Sequence, residues 1–411
     1  MKKKISVDQL KPGMFIQDFN SSWFDHPFFG SSKKVKDKKI IEKIMKSGIR
    51  EVYIDTDRGL DVFDAVTEEE VNQEIQTEIN RIAESEINEI KGIEDSEPVA
   101  VREELVKAQE IKKEAKILVH NMMQEIRFGK QIKTEQVEPV VEKMIGSIFR
   151  NKNALSSLSR IKTADEYTFY HSVSVGIQMI AFGKHLGFDL KILKAIGMGG
   201  LLHDIGKMKV PARILNKRGQ LTEEEFLILK EHVEYGCDIL ERIPGFDETA
   251  KSVAAQHHER FDGSGYPNGL KGDELSIYGQ MASIVDIYDA LTSERCYKNK
   301  ILPTDALRKI FEWSKFHFNG ELVQQFIRCV GIYPVGTLVR LESGLIGVVV
   351  EHNEKSLLEP VVRVFYDTAK ENYISVPYYI DLSRSFNEAE ADKIVNHESP
   401  HAIGITPEIS L

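Results

Sequence analysis

Two adjacent pairs of metal-competent side chains stand out in the 411-residue sequence: His203-Asp204 and, further along, His257-His258. Six of the twelve histidines fall between His171 and His258, and this clustering invites a metal-site reading. Successive side chains on a helix are about 100° apart, so neighbouring ligands do not point at one ion. An Asp can bridge two cations while the His beside it binds one, which suits a dinuclear centre better than a mononuclear one. Taken alone, a His-Asp pair is more often a polar helix terminus than a metal site.

Three further features raise the metal reading. His171 lies among Val173, Val175, Ile177 and Ile180, where a buried imidazole needs a partner or a metal. His232 lies in a helical stretch, and any one of these histidines by itself is more readily structural than ligating. Asp286 interrupts the apolar run Met281–Leu291, and a carboxylate there is costly unless paired or bound to a cation. Five histidines and two aspartates make a mixed nitrogen and oxygen donor set, suited to iron, manganese, nickel or zinc rather than calcium. Cys237, Cys296 and Cys329 form no C-x-x-C pair, so neither a thiolate zinc site nor a disulfide framework is expected.

The elements that must present these side chains are helical. His203 closes the apolar run Ala195–Leu202, His232 falls on a helix expected over Glu223–Arg242, and the pattern stays helical from Asn151 to about Val330. Before it, residues 1–62 hold alternating runs, an amphipathic stretch Asp37–Lys46 stopped at Gly48, and a strand-like Glu51–Asp55. Between Asp64 and Ala100 twelve acidic residues face two basic ones, a net of −10 that equals the charge of the whole chain. Ile75, Ile79, Ile82, Ile87, Ile90 and Ile93 form one apolar stripe there, as on a connecting helix with an acidic outer face. Further helices are expected over Val101–Arg127 and Glu135–Phe149. Beyond Pro334 the period changes, with strands expected at Thr337–Leu341, Ile346–His352, Val361–Tyr366 and Tyr373–Val376, then a loosely ordered tail after Asn387.

HDIGK at His203–Lys207, HHERFDGSGYP at His257–Pro267 and DIYDALTSERCYK at Asp286–Lys298, in this order, resemble the HD-GYP family, a branch of the HD superfamily of metal-dependent phosphohydrolases. LKPGMFI at Leu10–Ile16 and SGIREVYID at Ser47–Asp55 are similar to a domain of unknown function often fused ahead of HD-GYP. The resemblance implies a mainly α protein: an all-α HD-type helical bundle with a small α+β N-terminal domain and a β-rich C-terminal appendage. The expected divisions are 1–63 for the N-terminal domain, 64–150 for an acidic helical connector, 151–332 for the catalytic domain and 333–411 for the appendage and tail.

The activity implied is hydrolysis of cyclic di-GMP to linear pGpG and on to GMP. Carried over by position, the metal ligands are His171, His203, Asp204, His232, His257, His258 and Asp286, with Asp204 bridging two divalent ions, iron or manganese ahead of nickel or zinc. A bridging water polarised by both ions would attack phosphorus. Lys207 matches a lysine near the scissile phosphate, Arg295 and Lys298 match positions that grip the ligand's phosphates, and Tyr266 is expected to line the guanine site, with a core tyrosine as the alternative. Some members use a Glu four residues before the first ligand for a third metal; Tyr167 stands there, which argues for two. In the GYP loop, Gly263 and Gly265 allow backbone angles closed to other residues, Pro267 stiffens the exit, and Arg260 and Asp262 are expected to pair.

The family also implies contact between this loop and GGDEF-type cyclases, and the acidic helices suit a homodimer. A catalytically silent cyclic di-GMP sensor, or a phosphodiesterase for another cyclic dinucleotide, are the competing readings; intact HD and GYP residues favour hydrolysis. The acidic balance gives no support to DNA binding. With no run of about 18 apolar residues and no signal-peptide pattern, a cytoplasmic protein without membrane attachment is expected.

Overall fold

The computed structural model describes residues 1–21, 32–84, 99, 101–159, 167–217, 219, 221–293, 301–353, 356–384 and 392–398, with the backbone alone at 101, 102, 159 and 167. The N-terminal module is a five-stranded antiparallel sheet built from β1 (Lys2–Ser6), β2 (Phe15–Asp18), β3 (Lys33–Lys34), β4 (Glu51–Asp55) and β5 (Val66–Thr67), ordered β3-β2-β4-β1-β5. Helix α1 (Lys38–Lys46) lies between β3 and β4, capped by the Asp37 carboxylate on the Ile40 amide. It buries Ile44 in a core with Ile5, Met14, Ile16, Val52 and Ile54, while its lysine-rich side stays in water.

Then come α2 (Glu68–Glu84), α3 (Val101–Arg127), α4 (Thr134–Arg150) and α5 (Lys152–Ser159). Although rich in charge, they are not a detached linker: Ile75, Ile79, Ile82, Ala108, Ala115, Val119 and Met144 belong to the same apolar core as the helices that follow. Glu104, buried on α3, takes a two-pronged bond from Arg150 at 2.7 and 2.8 Å, which ties the end of α4 to α3. The stripe residues Ile87, Ile90 and Ile93 lie outside the described residues.

The bundle consists of α6 (Tyr167–His185), α7 (Leu190–Leu202), the short α8 (Ala212–Leu215), α9 (Glu223–Lys230), α10 (His232–Glu241), α11 (Glu248–Gln256), α12 (Ile277–Thr292), α13 (Pro303–Trp313) and α14 (Gly320–Val330). Helices α6, α7 and α12 are buried through their central turns. At Gly200 an added Cβ would come within 2.8 Å of Gly176 Cα, so α7 and α6 meet backbone to backbone, which draws His203 toward His171. Side-chain caps start the helices around this crossing: Asp189 for α7, Thr222 for α9, Asp247 for α11 and Ser276 for α12.

Two expectations need correction. The single helix over Glu223–Arg242 is broken at Glu231, because the Leu229 carbonyl is taken by the His232 ring at 2.6 Å and by the Glu231 amide. The tail is also not without structure: β10 (Ile394–Glu398) pairs with β6 (Leu338–Leu341), and Arg340 bonds Glu398 at 2.7 Å. With β7 (Leu345–Glu351), β8 (Val361–Asp367) and β9 (Asn372–Asp381) these form a second antiparallel sheet, ordered β10-β6-β7-β8-β9. β9 runs five residues beyond its expected end. The whole is mainly α, with one small sheet near each end of the chain.

Candidate metal centre

All seven expected metal-site residues converge in one buried cluster. His171 comes from the first turns of α6, His203 and Asp204 follow α7, His232 opens α10, His257 and His258 follow α11, and Asp286 lies in the middle of α12. The ends of helices do much of the aiming. The last carbonyls of a helix lack amide partners, and here imidazole Nδ1–H groups use them: His203 donates to Gly200 at 2.7 Å and His257 to Ala254 at 2.7 Å. His232 does the same to Leu229, at the break described above. These bonds fix each ring with Nε2 as the bare nitrogen facing the centre.

His171 is held from the other side. Its Nδ1 bonds Asp289 Oδ2 at 2.6 Å, and Asp289 also accepts from Gln178 and Ser293. Asp289 was not singled out from the sequence, although its place one helical turn after Asp286 in a buried helix was a usable signal.

Asp204 divides the cluster. Its Oδ2 lies 3.3 Å from His203 Nε2 and 3.6 Å from His171 Nε2, while its Oδ1 lies 3.4 Å from His232 Nε2 and 3.8 Å from His257 Nε2. The side chains thus fall into two groups able to hold an ion: His171, His203 and Asp204, and Asp204, His232, His257 and His258. Asp286 borders both, 2.9 Å from His171 Nε2 and 3.8 Å from His258 Nδ1.

The polar accounting favours cations. Asp204 Oδ1 and Asp286 Oδ2 are buried without a hydrogen-bond partner, a costly condition for a carboxylate. Nε2 atoms approach each other at 3.3 Å between His203 and His171 and at 3.4 Å between His232 and His257. An ion between each pair would be ligated by both rings.

The protonation pattern agrees. Burial alone would raise the Asp204 carboxyl, but Lys207 and His203 hold it well below the usual carboxylate range. Burial would likewise raise Asp286, and His171 outweighs it downward. Burial, and then neighbouring imidazoles, push His257 and His258 well below the ordinary imidazole value, leaving both neutral as ligands must be. Burial would lower His203 too, but Asp204 draws it upward.

Around the cluster, Lys207 donates to Asp204 Oδ2. The Tyr266 ring stacks on His258 with centroids 4.7 Å apart, and Lys230 Nζ lies 4.4 Å from the Tyr266 ring centroid. Arg295 and Lys298 lie outside the described residues. Gly263 has φ +82. The expected Arg260–Asp262 pair is replaced: Arg260 is buried and donates to the carbonyls of His257 and Glu259, while Asp262 accepts from Ser264. Buried Glu259, also not foreseen, accepts the amides of Asn268 and Leu270 and so ties down the far side of the loop.

The sequence is similar to those of known proteins. Residues 148–322 match the HD domain model, and residues 2–137 match a domain of unknown function, DUF3391. A cyclic di-GMP phosphodiesterase of Pseudomonas aeruginosa is 37% identical over 98% of this chain and 93% of its own length. The chain belongs to the HD-GYP family of HD-domain phosphodiesterases. Within this HD-GYP protein, 44% of the chain is 37% identical to 49% of a cyclic di-GMP phosphodiesterase of Thermotoga maritima. A shorter stretch, 30% of the chain and 24% of the relative, is 42% identical to 3'3'-cGAMP-specific phosphodiesterase 2 of Vibrio cholerae. Among the described residues, no helix is long and apolar enough to cross a membrane.

Proposed function

We propose that this chain hydrolyses cyclic di-GMP to linear pGpG, and on to GMP, at two divalent cations held by His171, His203, Asp204, His232, His257, His258 and Asp286. The observation that carries the reading is the division of Asp204, one oxygen toward each group of imidazoles. Bound there, two cations would polarise a water for attack on phosphorus and neutralise charge on the phosphate oxygens. Imidazole-rich ligation with two carboxylates suits iron or manganese, and also nickel or zinc.

The chain's own side chains supply the rest. Nδ1 bonds to helix-end carbonyls and to Asp289 hold the imidazoles in place before substrate arrives. Lys207 donates to Asp204 Oδ2; with cations held by that carboxylate, its ammonium would be available to the charge developing on the leaving oxygen. Tyr266, stacked on His258, offers an aromatic face to a guanine. Arg295 and Lys298 are proposed to grip the phosphates.

Similarity to the 3'3'-cGAMP-specific relative favours a second reading, in which a mixed cyclic dinucleotide is the better substrate. The discriminating experiment gives purified, iron- or manganese-loaded protein cyclic di-GMP, 3'3'-cGAMP and simple nucleotide phosphates in parallel. A higher kcat/KM for cyclic di-GMP supports the first reading. Preference for 3'3'-cGAMP supports the second, and cyclic di-GMP binding without turnover would make the chain a sensor.

A further inference from the structure

The turn between α1 and β4 lies directly against the GYP loop. Gly48 occupies this turn with φ +77, and a Cβ added there would stand 2.5 Å from Ser264 Cβ and 3.0 Å from Ser264 Oγ. Only hydrogen fits on Gly48 Cα against the Ser264 side chain. Two residues later, Arg50 Nε lies 3.9 Å from Asp262 Oδ2. Ser264 is fastened to Asp262 through its amide, at 3.0 Å, and its hydroxyl, at 2.6 Å. Tyr266, two residues past Ser264, donates its amide to the His258 carbonyl at 3.1 Å and stacks on the His258 ring.

The module that brings Gly48 here is not loosely hung. On α13, Glu312 accepts from Tyr53 at 2.6 Å and from Lys4 at 2.8 Å, and buried Trp313 donates to Asn20 at 2.9 Å. Because α13 belongs to the main apolar core, the N-terminal sheet and the catalytic helices share one rigid support, and the turn at Gly48 is held in register with the loop.

We infer that Gly48, with Arg50 as a lesser partner, is a positioning residue for the GYP loop, so that the N-terminal module sets how Tyr266 sits over His258 and thereby substrate affinity. This deepens the hydrolase reading and rests on it for the kinetic consequence alone. Arg50 is well exposed, and at 3.9 Å its pairing with Asp262 contributes little; close packing at Gly48 is the dominant contact. The module occupies one side of the loop that the family resemblance offered to an outside partner, so a shift of the module would be felt at the metal centre without any ligand entering it.

The test uses the full chain and hydrogen–deuterium exchange of the segment 259–271, which does not depend on turnover. Gly48→Ala should speed exchange there severalfold while α6 and α12 stay protected, and should raise KM for cyclic di-GMP more than it lowers kcat. Adding Ser264→Gly removes the opposing Cβ and should recover most of both values relative to Ser264→Gly alone, leaving only the backbone strain of an alanine at φ +77; adding Ser264→Ala, which keeps the Cβ, should recover none. Unchanged loop exchange in Gly48→Ala, an equal speed-up throughout the bundle, or no rescue by Ser264→Gly would each overturn the inference. If the loop responds as expected but the wild-type chain leaves cyclic di-GMP intact, the positioning stands and the proposed activity falls.

Discussion

Asp289 Oδ2 accepts from His171 Nδ1 at 2.6 Å, which leaves His171 Nε2 pointing at Asp286 and Asp204. Through this bond Asp289 bears on the ring orientation of His171. Outer partners of this kind typically change metal affinity by about 10–100-fold. Asp289→Ala should weaken binding of one cation by roughly that factor, with Asp289→Asn closer to wild type. Competition against a chromogenic chelator reads the change, and unaltered affinity in Asp289→Ala would refute the assignment.

Lys207 is tied to the shared carboxylate, yet its proposed task is at the leaving oxygen. Lys207→Met should lower kcat by about 10²–10³ while metal content stays at the wild-type level, as expected when a group that stabilises transition-state charge is lost. Should metal content fall in step with kcat, the lysine's role would be to hold Asp204.

For Tyr266 the ring is the relevant part. Tyr266→Phe keeps the stack on His258 and should leave KM near wild type, whereas Tyr266→Leu should raise it about tenfold, the range of one lost aromatic contact. Steady-state kinetics on both variants separate stacking from the hydroxyl, and a larger loss in Tyr266→Phe than in Tyr266→Leu would contradict the stacking role.

Much of the candidate centre was legible because its chemistry is local in sequence. His203-Asp204, His257-His258 and Asp286 each stand out against an apolar helical background, and type and spacing were enough to group them. What holds these groups in place was less visible. The acceptors for His203, His232 and His257 are backbone carbonyls, which carry no sequence signature. The break before His232 comes from its ring competing for the Leu229 carbonyl, a tertiary preference that helical periodicity does not register. Gly48 read as a helix stop, and its positive φ agrees, but its second role against Ser264 arises from a contact between segments more than two hundred residues apart. Strand β10 escaped notice because it is short and edge-paired far from its partner β6.

Acidification should release the GYP loop from one of its anchors. Burial alone would raise the Asp262 carboxyl, but His317 and Ser264 outweigh it and bring it from 3.8 down to about 2. A depressed carboxyl stabilises the fold above its unfolded value, and that contribution is lost as pH falls through 3.8 toward 2. In the metal-free protein, the melting-temperature gap between wild type and Asp262→Asn should therefore be constant above about pH 5 and shrink below about pH 4. A gap that keeps its size down to the acid limit would show that the carboxylate's charge is not what anchors the loop.

The most direct test of the central claim is hydrolysis of cyclic di-GMP by protein prepared without oxygen and loaded with iron or manganese, with metal content measured and Asp204→Ala treated identically. The account calls for two metal ions per chain and conversion to pGpG or GMP in the wild type, with both bound metal and turnover collapsing in Asp204→Ala. Full turnover by Asp204→Ala, or no turnover by wild-type protein carrying two ions, would contradict it.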